Sequence, residues 1–480
     1  MIVLLNPWST PSPKKPLPMS LLALGALLEG EFDYHIVDGN LESDVVGRIA
    51  ALAESHTLAA IAVTVMPGPQ LQQAVHASRA LKARLPAVPI VWGGYFPSQH
   101  ADVCLRDGAV DYCVRGQGEQ SFVALMRILT NGGALESVAG LSFRRAGGVT
   151  DTPTAPLIPL DSLPLWPYQR VEMERYFHRH YLGDRVGTHH SSYGCPYACS
   201  FCAVVGIANR RWVAESPDRV GTVLQYFRST YNADAVQFHD MDFFISEPRT
   251  EAIAERIGRL ALTWWALGRV DELMRYRTTT WETMKQSGLK MVFCGAESGS
   301  TETLKRMNKG GTAAAEQTLE LARRMKSLGI VPEFSFVVGN PPDPEADLRQ
   351  TLAYIKQVKA INPAAEIILY VYSPVAGADS FEFPETLDEW LDERWQSFAL
   401  RRDPRTPWSP VSIRRRVRDF ETVLNAYHPT VTDTKLTPVR RGVLRAVSAW
   451  RYHTGADTRP FELNLLQRVF HYQRPETTGF

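Results

Sequence analysis

Apolar positions in the first third of the chain fall into short runs separated by longer periodic stretches. "IVLL" stops at Asn6-Pro7, and "MSLLALGALLEG" follows with helical spacing and closes on Gly30. "YHIVD", "AAIAVTV" and "VPIVWGG" are further runs rich in β-branched residues, with helical patterns such as "LQQAVHASRALKARL" between them. Strands alternating with helices predict a parallel, doubly wound, Rossmann-like α/β domain, placed at residues 1–140. Ligands of such sheets sit at the carboxyl ends of the strands. Those ends carry Asn6 and Pro7, Thr64, Val65 and Met66, Gly93, Gly94 and Tyr95, and Gly116, Gly118 and Glu119.

Residues 141–185 read as a linker, with "PTAPLIPLDSLPLWPY" as a semi-rigid proline-rich connector. A second βα series runs over residues 186–385. Its strand candidates are "THHSSY", "AVQFHD", "WWALGRV", "MVFCGAES", "PEFSFVVG" and "IILYVYS". Six such units predict a partial (β/α) barrel with its function at the strands' C-terminal ends. Over 386–480 the strand rhythm is lost and the pattern is mostly helical, with arginine runs at 414–418 and 440–445 that read as solvated helix faces.

Composition adds exclusions. With 480 residues, 45% hydrophobic and 21% charged, the chain is an ordinary multidomain globular protein. Lys+Arg is 52 against Asp+Glu 51, so charge balance points to no nucleic-acid partner. No apolar stretch reaches the ~18 residues that a membrane span needs. The start "MIVLLNPWST" has no basic region before its apolar run and reads as a strand, not a leader. The expected compartment is the reducing cytoplasm, where clustered cysteines bind metal or do redox chemistry.

Three of the six cysteines, Cys195, Cys199 and Cys202, fall within "GCPYACSFC". A zinc site takes four protein ligands, and His189 or His190 could complete one. Three thiolates on one loop can instead hold a four-iron cluster, each binding one iron, with the fourth iron open to a small molecule. Cys104, Cys113 and Cys294 read as small buried hydrophobes.

The C-x3-C-x2-C spacing, with Phe201 before the last cysteine and the loop after the first barrel strand, resembles the radical S-adenosylmethionine (SAM) superfamily. "NPW", "PIVWGGYFPSQHADVCL" and "DYCVRGQGEQSF" resemble the cobalamin-binding domain of its cobalamin-dependent branch. The resemblance implies a [4Fe-4S] cluster on the three cysteines, SAM on the open iron, and cobalamin in the first domain. It implies an enzyme that methylates an unactivated carbon through methylcobalamin and a 5′-deoxyadenosyl radical. The same scaffold also resembles cyclases or rearrangement enzymes without methyl transfer, and a non-catalytic sensor is the contrasting class. The implied partners are a small-molecule or natural-product substrate and an external electron donor such as flavodoxin or ferredoxin.

By the same resemblance, Asp240 or Asp242 in "FHDMDFF" would face the SAM ammonium, and Arg269 its carboxylate or ribose. Glu297 and Ser298 would contact the ribose, and the loop at Gly339 the adenine; "YSPVAG" resembles the end of the sixth strand. Thr64, Gly93, Gly94 and Gly118 would let the corrinoid's nucleotide tail approach the backbone. The plainer readings are that the two Asp residues are ordinary strand-end or helix-cap acids, that Glu297 pairs with Arg269, and that Gly93-Gly94 marks a turn.

Overall fold

The structure, a computed structural model, describes residues 1–309, 313–375, 381–396, 409–433 and 436–470. The first sheet contains β1 (Ile2–Asn6), β2 (Tyr34–Asp38), β3 (Ala60–Thr64), β4 (Ile90–Gly93), β5 (Tyr112–Val114), β6 (Leu141–Arg145) and β7 (Gly148–Asp151). Its order is β2-β1-β3-β4-β5-β6-β7, parallel through β5. Helices cover both faces, so both are apolar. Val3, Leu5, Val63 and Trp92 lie on one side, and Ile2, Leu4, Ala62 and Val91 on the other. The strand order reverses between β1 and β3, which makes their C-terminal ends the ligand crevice of such a sheet.

The sheet continues past residue 140. The β6–β7 hairpin, turned at Gly147 and Gly148 with φ of 108° and 138°, adds two antiparallel strands from the stretch read as linker. The proline-rich remainder is held to the first domain, with Tyr176 donating to Asp38 Oδ2 at 2.7 Å and Arg170 pairing with Glu29 at 2.7 Å.

The second sheet runs β8 (Val186–His189), β11 (Ala235–Phe238), β12 (Thr263–Arg269), β13 (Leu289–Glu297), β14 (Val331–Val338) and β15 (Glu366–Val371), all parallel and in chain order. β8 and β15 remain as edges, so this is the partial barrel expected. A small antiparallel pair, β9 (Ser192–Gly194) and β10 (Trp212–Ala214), stands beside it. Strand alternation sorts the side chains. Trp264, Ala266, Val292 and Cys294 pack outward among the helices, while Trp265, Leu267, Met291 and Phe293 line the interior. Cys294 is therefore a core residue on the helix side, and Cys104 and Cys113 are likewise buried.

After the barrel the chain returns to the first domain. Leu387, Trp390 and Trp395 join the core around Val3, Val63 and Phe96. Trp390 stacks on Phe383 at 6.0 Å and meets Phe96 edge-on at 5.1 Å. Arg79 pairs with Asp388 at 2.8 Å. The helices Val411–Tyr427, Pro438–Thr454 and Phe461–Phe470 then form a C-terminal unit. Arg414 departs from the solvated face expected of its run and is buried, whereas Arg415 and Arg418 are exposed. No described helix is long and apolar enough to cross a membrane.

This strap should be a main tie between the domains. Trp390→Ala should lower the urea midpoint by the equivalent of about 3–5 kcal/mol, the range for large aromatic truncations. Asp388→Ala, which removes only an exposed ion pair, should leave the midpoint unchanged.

Candidate active site

The cysteine loop is closed by a stem. β9 leads into it and β10 leads out. Gly194, the last stem residue, has φ 82°, and a Cβ there would strike the Arg211 carbonyl, so only glycine fits. The segment before the loop is fixed by Asp240, which is fully buried. Asp240 Oδ2 accepts from the Ser191 amide at 3.0 Å, and its Oδ1 accepts from the Ser191 hydroxyl at 2.8 Å and from Ser192. Arg249 grips the same segment through the Ser191 carbonyl at 3.0 Å. From the far side, the Ser200 amide donates to the Met307 carbonyl at 2.9 Å, and Asn308 Nδ2 donates to Ala198 O at 3.0 Å. Met307 and Asn308, just beyond the helix Thr301–Arg306, thus anchor the loop.

Two buried cations flank the thiols. Arg269, on the last residue of β12, donates from Nη1 to Cys199 Sγ at 3.4 Å. Its Nε and Nη2 hold Asp271 at 3.0 and 3.1 Å, and its guanidinium lies 3.7 Å from the Tyr197 ring centroid. The Asp271 carboxylate, the leading favourable partner against the cost of burial, keeps Arg269 charged. Lys309 pairs with Glu297 at 2.5 Å and sits 5.8 Å from the Phe201 ring centroid. The partner of Glu297 is therefore Lys309, and that of Arg269 is Asp271, which corrects the Arg269–Glu297 pairing expected above. Glu297 has φ 62°, uncommon for a residue with a side chain, beside a register shift between Gly295 and Glu297. A Cβ on Gly295 would collide with the Glu297–Lys309 pair.

Asp242 is different from Asp240. It is 1% exposed, and neither carboxylate oxygen has a hydrogen-bond donor among the described residues. Burial, then the neighbouring Glu272 carboxyl, pushes its pKa well up, and burial raises Glu272 as well. Tyr197 donates to Glu272 at 2.6 Å, linking this pair to the cysteine loop. Burial, followed by the Asp242 charge, also pushes the Cys195 thiol up to about 12, and burial raises Cys202. Among the described residues, no three His, Cys, Asp or Glu side chains converge on a point for one metal ion. His189, a candidate fourth zinc ligand, is held by Glu215 at 2.7 Å and Tyr168 at 3.2 Å. His190 is buried beside it, its pKa lowered by burial.

The remaining barrel residues lie around this loop. Phe201 packs with Leu304, Met307 and Val337. Ser298 is fully buried and its hydroxyl accepts from the Ser300 amide at 3.1 Å. The Gly339 amide, at φ 80°, donates to Asp347 at 2.9 Å. Residues 376–377 of "YSPVAG" lie outside the described residues.

In the first domain, Asn6 donates to Asp38 at 2.9 Å and accepts from Gln70 at 2.8 Å, and Gln70 also accepts from the Met66 amide at 2.8 Å. This network fixes the loops after β1 and β3. Thr64 accepts from Ser20 at 3.2 Å, and Met66 is 48% exposed at the crevice. Gly94, at φ 97°, lies so close to Thr64 and Val65 that a side chain would be crowded. Gly93 and Gly118 meet only ordinary van der Waals contact, so the fold itself does not demand glycine there. Burial pushes up the pKa values of Glu119 and the Tyr95 hydroxyl, and Cys202 adds to the Tyr95 shift.

The two halves meet at this point. The helix Tyr95–Gln99 packs against the helix Val204–Ala208 that leaves the cysteine loop. Gln99 Nε2 donates to the Ala203 carbonyl at 2.9 Å, and a Cβ on Gly116 would point at the Ile207 carbonyl 3.5 Å away. Sequence reasoning missed Asp271, Glu272, Asn308 and Lys309, of which Asp271 follows directly on the quoted "WWALGRV". What it lacked was a way to know which carboxylate meets which cation.

Residues 12–126 match the B12-binding domain family, and residues 190–355 match the radical SAM superfamily. The chain is 27% identical over 388 residues to an uncharacterized methyltransferase of Pyrococcus horikoshii, covering 80% of this chain and 81% of that protein. It is 25% identical over 368 residues to the anaerobic magnesium-protoporphyrin IX monomethyl ester cyclase of Synechocystis sp., covering 75% of this chain and 71% of that protein. The radical SAM methyltransferase TsrM of Kitasatospora setae, solved with cobalamin and a [4Fe-4S] cluster bound, shares the fold with a TM-score of 0.63 at 18% identity, over 77% of this chain and 71% of that one. The cofactors that go with the two matched domains are cobalamin, SAM and a [4Fe-4S] cluster. The residues fit them: three thiols on a stem-closed loop with a guanidinium on one sulfur, and a buried carboxyl pair able to receive an ammonium.

Gly194→Ala should leave a folded protein with greatly reduced iron and sulfide after anaerobic reconstitution, checked beside far-ultraviolet circular dichroism. Asp242→Asn should keep its iron yet bind SAM about tenfold more weakly by equilibrium dialysis, the size expected when a hydrogen bond to a charged group is lost.

Proposed function

We propose that this chain, a radical SAM enzyme with an N-terminal B12-binding domain, is a methyltransferase that places a methyl group on an unactivated carbon of a small molecule. The observation that carries the reading is the direct seating of the first domain's Tyr95–Gln99 helix on the exit of the cysteine loop, through Gln99 and Ala203. A sensor needs no such juxtaposition; group transfer between two cofactors does.

When bound, the cluster and SAM supply hydrogen abstraction, and the corrinoid carries the methyl group. The chain's own residues position and shield. Cys195, Cys199 and Cys202 would hold the cluster, with Arg269 donating to the Cys199 sulfur. The Asp242–Glu272 pair would take up the SAM ammonium, and on that binding the carboxyl held protonated by burial would give up its proton. Glu297, fixed by Lys309, and Ser298 would orient the ribose, with the Gly339 loop beside the adenine. Asn6, Pro7, Thr64, Val65, Met66, Gly93, Gly94, Tyr95, Gly116, Gly118 and Glu119 would line the corrinoid crevice. The loop after β1, "NPWSTPSPKKPLPMS", holds no histidine to offer as a lower ligand, which suits a methyl carrier. An external reductant such as flavodoxin or ferredoxin would supply the electron.

Methyl transfer and cyclisation differ in the fate of SAM. Reconstituted full-length enzyme with cobalamin, SAM and a chemical reductant should release both S-adenosylhomocysteine and 5′-deoxyadenosine, separated by liquid chromatography. Release of 5′-deoxyadenosine alone would favour a cyclase or rearrangement enzyme, consistent with the similarity to the Synechocystis protein.

A further inference from the structure

The outward faces of the C-terminal helices have no role in the chemistry above. Their inner faces pack around Val423, Ala426, Leu436, Leu444 and Leu463. The helix Pro438–Thr454 turns Val439, Val443, Val447 and Trp450 outward, with Val439 77% and Trp450 65% exposed. Spacings of four, four and three residues place all four on one stripe, opposite buried Leu444 and Ser448. The helix Phe461–Phe470 does the same with Phe461, Leu465 and Val469, of which Phe461 is 72% exposed. Single exposed apolar residues are ordinary, but two apolar stripes on helices that pack against each other are not.

The charge around these stripes has one dominant sign. A groove of about 270 Å³ between the first and third C-terminal helices is lined by Arg415, Arg418, Asp419, Arg459, Phe461 and Asn464. It continues along Leu465 to Arg468. On the middle helix, Arg440 lies 5.5 Å from the Phe470 ring centroid, and Arg445 donates to the Tyr427 carbonyl at 3.3 Å. Among the described residues, none of these six arginines forms an ion pair with a carboxylate. Asp419, the acid in the groove, accepts from the Arg459 amide at 2.9 Å. The helix carrying Arg415 and Arg418 begins on the barrel rim, where Ser412 donates to Glu345 at 3.0 Å and Ile413 lies against Gly339.

We propose that the C-terminal helices are a peripheral docking surface for a lipid bilayer with anionic head groups. An apolar helix face bordered by arginines, with an exposed tryptophan, is the composition of a helix that lies in a membrane interface. A second copy of this chain meeting the same face about a two-fold axis would set arginines against arginines. A nucleic acid would leave the valine stripe without a partner. The surface stands whichever reaction the barrel runs, and docking would bring the barrel rim toward the membrane.

The test is co-sedimentation of the full-length protein with phosphatidylglycerol–phosphatidylcholine vesicles and with pure phosphatidylcholine vesicles. Binding to the anionic vesicles alone, weakened by salt, is the expected result. Arg415→Gln and Arg418→Gln should each weaken it about fivefold, the contribution of one basic residue near an anionic surface. Val443→Glu with Val447→Glu should abolish it, with circular dichroism and reconstituted iron content unchanged. Equal binding to both vesicle types, no binding, or binding indifferent to these variants would overturn the proposal. So would a concentration-dependent doubling of mass in light scattering that Val443→Glu removes, because the face would then join two copies.

Discussion

A loop with three thiols has to be held still against the mouth of an open sheet, and most of the unusual backbone and buried charge in this chain serves that constraint. Gly194 closes the stem because no side chain fits under the Arg211 carbonyl. Asp240 fixes Ser191 and Ser192 on one side, and Met307 and Asn308 hold Ala198 and Ser200 on the other. Thiol ligands on a flexible loop would have to be ordered at the moment of cluster binding, at about 1–2 kcal/mol per backbone residue. A loop fixed in advance meets most of that cost during folding.

The same region concentrates charge where water is excluded. Burying Arg269 and Lys309 is unfavourable, and their attraction to Asp271 and Glu297 offsets it only because the geometry is close and the remaining donors are satisfied. Such pairs add little net stability compared with an apolar core. Their contribution is fixed positive charge beside the loop, with Arg269 donating to the Cys199 sulfur and Lys309 over the Phe201 ring. Asp242, by contrast, has no hydrogen-bond donor among the described residues, and burial beside the Glu272 carboxyl pushes its pKa up.

The domains are tied at two levels. Gln99 joins the first domain to the cysteine loop through one hydrogen bond, too weak alone to fix two domains. Apolar burial adds to it in two places: Leu17 and Leu22 of the first domain lie in the core cluster of the barrel, and the strap bearing Trp390 and Trp395 reaches back from beyond the barrel into the core of the first domain.

The alternating runs of the sequence specify both parallel sheets, because strand and helix periods are local properties of the chain. All six barrel strands were legible in it, as were the three cysteines, since a loop motif needs only contiguous spacing. The β6–β7 hairpin was not legible, because its stretch reads as linker, and only pairing with β5 places it on the edge of the first sheet. Only the tertiary structure decided that Asp240 is a brace while Asp242 faces inward, that Glu297 meets Lys309, and that Trp390 belongs to the core of a domain almost three hundred residues earlier. Those outcomes depend on which distant side chains share a buried space, and burial, not spacing along the chain, sets the energy of a charge.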